Sequence, residues 1–132
     1  MLPRSVYLAG SFSRREELCK LRYRYQSCGI TITSRWLVVV VDEDQRTPQL
    51  LRSWALKDLE DLRNSEVLVV YNDPEDPGGG GRHTELGIAL ERGMLCVIVG
   101  ELTQVFHYHP RCYVVPDTEA ALALLRDYFN RS

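Results

Sequence analysis

Short apolar runs recur along the chain and alternate with segments of helical periodicity. Ser5–Ala9, Val67–Tyr71 and Leu95–Val99 are the clearest of these runs. Each is too brief for a helix and too continuous for a strand with one wet face. Such runs predict strands buried on both sides, as in parallel sheets covered by crossover helices. Weaker strands are expected at Ile30–Thr33 and Cys112–Val115. Trp36–Val41 is also apolar and β-branched, and either continues the second strand or forms an edge piece.

The intervening segments read as helices and loops. Ser13–Ser27 carries Leu18, Leu21 and Tyr25 at helical spacing and is closed by Gly29. Leu50–Arg63 and a stretch around Thr84–Arg92 are the next helices. Asp117 reads as the N-cap of a last one, with Ala121, Leu124, Leu125 and Tyr128 on one face. Asp42–Pro48 is charged and broken by proline, which predicts a mobile surface loop. Five strands in 132 residues predict one domain over 1–132, a flavodoxin-like, doubly wound, mainly parallel α/β sheet with helices on both faces. Ligands of such sheets bind at the carboxyl ends of the strands, near the point where the strand order reverses. That places Gly10–Arg14, Asn72–His83 and the residues after the second strand together.

Composition limits the partners. A formal net charge of −2 gives no bulk field for a nucleic-acid polymer or an anionic membrane, so an anionic ligand needs a local cluster of donors. The runs Leu37–Val41 and Leu95–Val99 are far too short to span a bilayer, and the residues before Tyr7 too few for a signal-peptide core. The four cysteines form no C-x-x-C pair, and Cys19, Cys28 and Cys96 fall in apolar patterns. Free thiols in a reducing cytoplasm are expected. Of His83, His107 and His109 only the last two show an H-x-H spacing, so no metal is expected.

Three features resist a purely structural reading. The first is Gly78-Gly79-Gly80-Gly81-Arg82-His83-Thr84-Glu85. Four glycines alone suit a flexible loop, but these lie between a buried strand and a helix, where backbone N–H groups can face an anion or a sugar. The segment matches neither G-x-x-x-x-G-K-[ST] nor G-x-G-x-x-G, which argues against ATP and NAD and leaves no cofactor expected. Glu85, in the first helical turn, either complements the helix dipole or is a carboxylate kept ionised by it, as a nucleophile must be.

The second feature is Asp58, which falls among Leu51, Ala55 and Leu62 on the apolar stripe of its helix, while Lys57, Glu60 and Arg63 read as solvated charge. A carboxyl aimed at the core is either ion-paired or a protonated group of raised pKa at a pocket wall. The third is the segment after the first strand. Ser11, Ser13 and Arg14 either cap a helix or bind phosphate. Tyr7 by default is a core tyrosine, and Trp36 either fills the core or stacks on a base.

Together, Tyr7-Leu8-Ala9-Gly10-Ser11-Phe12, the pair Asp58-Leu59 and Gly80-Gly81-Arg82-His83-Thr84-Glu85-Leu86-Gly87-Ile88-Ala89 resemble the nucleoside 2-deoxyribosyltransferase family. That family includes the 2′-deoxynucleoside 5′-monophosphate N-glycosidases. The resemblance implies a double displacement on a nucleoside or nucleotide: Glu85 attacks the anomeric carbon, Tyr7 orients Glu85, and Asp58 contacts or protonates the departing base. It implies substrate contacts from Gly10, Ser11, Phe12, Ser13, Arg14, Trp36, Gly80, Gly81, Arg82 and His83, and a homodimer or larger homo-oligomer. Transferases of the family often carry an acidic residue a few positions before the glutamate, where this chain has Gly79 and Gly80. Transfer to a second base and hydrolysis therefore both stay open. Glu85 ionised and Asp58 neutral is the protonation pattern expected of the pair.

Overall fold

The computed structural model describes residues 1–38, 46–75 and 80–131. Five strands, β1 (Ser5–Ala9), β2 (Thr31–Ile32), β3 (Val67–Asn72), β4 (Leu95–Gly100) and β5 (Cys112–Val115), form one sheet in the order β2-β1-β3-β4-β5. Every pairing is parallel. This is the flavodoxin-like doubly wound sheet expected, and the order reverses between β1 and β3.

Strand alternation then decides which side chains meet. Val6 and Leu8 turn to the face covered by α1 (Arg15–Gln26) and α4 (Thr118–Phe129), where they pack with Leu18, Tyr25 and Leu125. Tyr7 and Ala9 turn to the opposite face, with Leu62 of α2 (Pro48–Arg63) and Leu86 of α3 (Gly81–Glu91). A single residue step along β1 therefore directs Tyr7 toward the two helices that carry Asp58 and Glu85.

Local chemistry sets the helix ends. Thr47 accepts a hydrogen bond from the Leu50 amide and Pro48 occupies the first turn, so α2 starts earlier than the apolar pattern alone suggests. α3 begins at Gly81, inside the glycine run, ahead of the expected Thr84.

Two expectations are corrected here. Residues Arg35–Val38 form a 3-10 turn, not a strand. The Arg35 backbone N–H donates to Asp61 on α2 and the Trp36 indole N–H to the Leu8 carbonyl, which draws the chain across the end of the sheet. Val39, Val40 and Val41, with most of the loop expected at Asp42–Pro48, lie outside the described residues. On α2, Leu51 and Ala55 are exposed, and the inner face runs instead through Trp54, Asp58, Asp61 and Leu62. Asp58 is half-buried on that face, beside a cavity and not inside the core.

Candidate active site

A cavity of about 270 Å³ opens at the carboxyl ends of β1 and β3, slightly below the roughly 300–1,000 Å³ common for small-molecule sites. Tyr7 of β1 and Gly10, Ser11 and Phe12 just after it line the floor. α3 contributes Gly81, Arg82 and Glu85 to one wall. The other wall holds Trp54, Lys57 and Asp58 of α2, with Arg35, Trp36 and Arg46.

Tyr7 and Glu85 line the cavity together, with the Tyr7 hydroxyl close enough to influence the Glu85 carboxyl. Burial, with Glu85 and Asp58 close by, pushes the Tyr7 pKa far above its ordinary value, so the phenol stays protonated and acts as donor. Burial also raises Glu85, to about 8, against the lowering effect of the Tyr7 hydrogen bond and with a further push from Asp58. Asp58 rises to about 6, first through burial and then through the neighbouring Asp61, with Arg35 opposing. The protonation order expected from the helix dipole is thus reversed. α3 starts at Gly81 and has no acidic residue in its first turn, so Glu85 lies past the reach of the dipole and burial decides its pKa.

The floor is shaped by close packing. A Cβ at Gly10 would stand 2.6 Å from Leu18 Cδ1, so a larger residue there would push that buried side chain aside. At Gly81 an added Cβ would meet nothing within 4 Å, which leaves the first turn of α3 open to the cavity. Ser11 accepts from the Ser13 amide and caps the short turn Phe12–Arg14. Arg82 is buried and donates through Nε to Asn72 Oδ1 at 3.1 Å, while Asn72 donates to the Glu101 carbonyl and to Thr103. The end of β3 thus holds Arg82 against the cavity wall.

Of the residues that sequence reasoning singles out, the cavity gathers Tyr7, Gly10, Ser11, Phe12, Trp36, Asp58, Gly81, Arg82 and Glu85. Ser13 and Arg14 border a separate shallow depression, where Arg14 forks onto Glu17 at 2.9 and 3.1 Å. His83 bonds to Gln104 and lies near His107, and neither His83 nor Gly80 lines the cavity. Gly78 and Gly79 lie outside the described residues.

Four lining residues escaped the sequence reading: Arg35, Arg46, Trp54 and Lys57. Lys57 is solvent-exposed as expected and also borders the cavity. Trp54 carried one signal, its place one helical turn before Asp58. Phe12 lies between the two tryptophans, 6.4 Å from Trp36 and 6.3 Å from Trp54. No group of three or more potential metal ligands occurs among the described residues.

No family model and no curated protein matches the sequence. Solved structures do resemble it. A 2-deoxyribosyltransferase from Bacillus psychrosaccharolyticus superposes with a TM-score of 0.71 at 16% identity, over 97% of this chain and 92% of its own. A conserved protein from Enterococcus faecalis V583 gives 0.65 at 15%, over 96% and 99%. A CMP N-glycosidase from Clostridium botulinum gives 0.59 at 13%, over 92% and 98%. The chain shares the fold of these proteins.

Proposed function

We propose that the chain cleaves the N-glycosidic bond of a (2′-deoxy)nucleoside or nucleoside 5′-monophosphate through a glycosyl-Glu85 intermediate. One observation carries the reading: two carboxyls of raised pKa, Glu85 and Asp58, line a single cavity, and one of them is held by a buried tyrosine. The shared fold with a 2-deoxyribosyltransferase and a CMP N-glycosidase supports it.

In the first step the Glu85 carboxylate attacks the anomeric carbon while the C–N bond breaks and its electron pair passes to the base. Asp58 in its acid form gives the base a proton. The positive charge that gathers on the sugar is stabilised by Glu85 as it closes in. In the second step water or another base attacks the same carbon, Glu85 leaves, and Asp58 takes up the proton. Tyr7 donates to the Glu85 oxygen throughout and holds it toward the sugar.

With Glu85 raised to about 8 and Asp58 to about 6, the pair holds about one proton near neutral pH. The reactive form is the one in which that proton sits on Asp58 and Glu85 is ionised.

Four free cysteines suit a reducing compartment such as the cytoplasm. Exposed Leu51, Leu56 and Leu59 on α2 favour a homo-oligomer, which sedimentation would reveal. The central test is chromatography of deoxynucleosides and their monophosphates incubated with the protein, with and without a free acceptor base. New nucleoside means transfer and free base alone means hydrolysis. Glu85→Ala should lower base release by about 10³-fold or more with the melting transition retained. Unchanged turnover in that variant removes the proposed nucleophile.

A further inference from the structure

The two walls of the cavity differ in charge, and we infer that the site selects bases whose ring edge carries carbonyl oxygens over those that carry an exocyclic amino group. The inference rests on the N-glycosidic reading and names the base that would leave.

The wall facing Glu85 presents three cations, Arg35, Arg46 and Lys57. The Arg46 guanidinium lies over the Phe12 ring at 5.0 Å and over the Trp54 ring at 5.9 Å. It is therefore held at the rim of the apolar surface on which a flat base would stack. Arg35 is anchored by Asp61, which takes its Nε at 2.8 Å and its backbone N–H at 2.9 Å, and it also pairs with Glu60 at 3.5 Å, so it gives the wall charge more than free donors. Lys57 and Asp58 are consecutive on α2, one turn beyond Trp54.

The hydrogen-bonding inventory of this wall is lopsided. Guanidinium and ammonium groups only donate. The Trp36 indole N–H is already spent on the Leu8 carbonyl at 2.8 Å, so Trp36 offers a ring face alone. Among the described side chains of this wall, only the Asp58 carboxyl can accept. A base edged with oxygens pairs with these donors. An amino group has only Asp58 to pair with and meets a donor at every other position of the wall, which leaves groups unpaired, an arrangement that binding sites reject strongly. As the C–N bond breaks and before Asp58 has fully given up its proton, negative charge gathers on the oxygens of such a base, where the same cations stabilise it. Selectivity should therefore appear in turnover as well as in binding.

Calorimetric titration of the full chain with matched pairs tests this. Deoxyuridine and deoxycytidine differ in one exocyclic group and in the hydrogen on the adjacent ring nitrogen, as do deoxyinosine and deoxyadenosine, and each pair is run with and without a 5′-phosphate. The oxo partner should bind about tenfold or more tighter in both forms. In the Arg46→Gln, Lys57→Gln double variant, two exposed positions, the ratio should fall to within about threefold. Equal binding of the partners, tighter binding of the amino partner, no binding of any of them, or a ratio unmoved by the double variant overturns the inference. So does an equal loss for both partners confined to the monophosphates, because the cations would then be reading phosphate. Base release is scored separately by chromatography. A clear oxo preference without release from any ligand upholds the selectivity and removes the glycosidase reading.

Discussion

The two walls of the cavity are built differently. Glu85 lies beside Tyr7, and Tyr7 stands in a strand paired on both sides and buried along its whole length. Opposite, Trp54 and Lys57 project from a helix whose outer face is wet, and Arg46 is exposed. A group that must meet a reacting carbon within a fraction of an ångström belongs on the rigid wall. Groups that choose among ligands tolerate the softer one. Asp58 is where the two meet, since it sits on the helix but takes its character from burial.

The largest test of that division is Asp58→Asn. Asparagine keeps the shape and cannot supply a proton, so kcat should fall by about 10²–10³-fold on ordinary bases. A base that leaves readily as an anion should show a smaller loss. An equal loss for both kinds of base would make Asp58 a part of the binding wall only.

Tyr7→Phe should cost less, about tenfold in kcat/KM, with a signature in pH. The wild-type profile should be bell-shaped, with limbs near pH 6 and 8 from Asp58 and Glu85. The Tyr7 hydroxyl lowers the Glu85 pKa, so its removal moves the alkaline limb upward. A limb that stays in place would remove Tyr7 from control of Glu85.

On the softer wall, Trp54→Ala should raise KM by several-fold and leave kcat nearly unchanged, because a stacking face is lost without touching the reacting atoms. A fall in kcat alone would place Trp54 on the rigid side of the comparison.

The mildest effect concerns stability. Glu85 is raised from 4.5 to about 8 in the folded chain, so its contribution is complete below the lower value and is lost as pH rises through the upper one. Glu85→Gln removes that dependence. Its stability should therefore overtake that of the wild type between pH 5 and 9, by on the order of a few kcal/mol or less, read as a rise in relative melting temperature. Parallel curves would mean that Glu85 titrates alike in both states.

The layout was readable because it rests on local rules. The buried runs at Val67–Tyr71 and Leu95–Val99 could serve only as inner strands, and the alternation on β1 makes Tyr7 face α2 and α3. Glu85, singled out from its place after a glycine run, does line the cavity, and so does Asp58, although the stripe through Leu51 and Ala55 that drew attention to it is exposed. Arg35 and Arg46 were not, since their position depends on contacts across the fold, Asp61 for one and the rings of Phe12 and Trp54 for the other. The stripe drawn through Leu51 and Ala55 failed because apolar spacing alone cannot tell a helix's inner face from an exposed one. The reversed protonation order followed from the depth of burial, which no sequence pattern states.

Trp36 and Trp54 are the only tryptophans in the chain, and both border the cavity. Intrinsic fluorescence is therefore a local signal here, with no indole elsewhere to dilute it. A ligand that stacks against these rings should quench or shift the emission as it arrives, and departure of the base should restore it. The molecule thus carries its own optical reporter of occupancy, able to separate arrival from bond breaking in a single rapid-mixing trace.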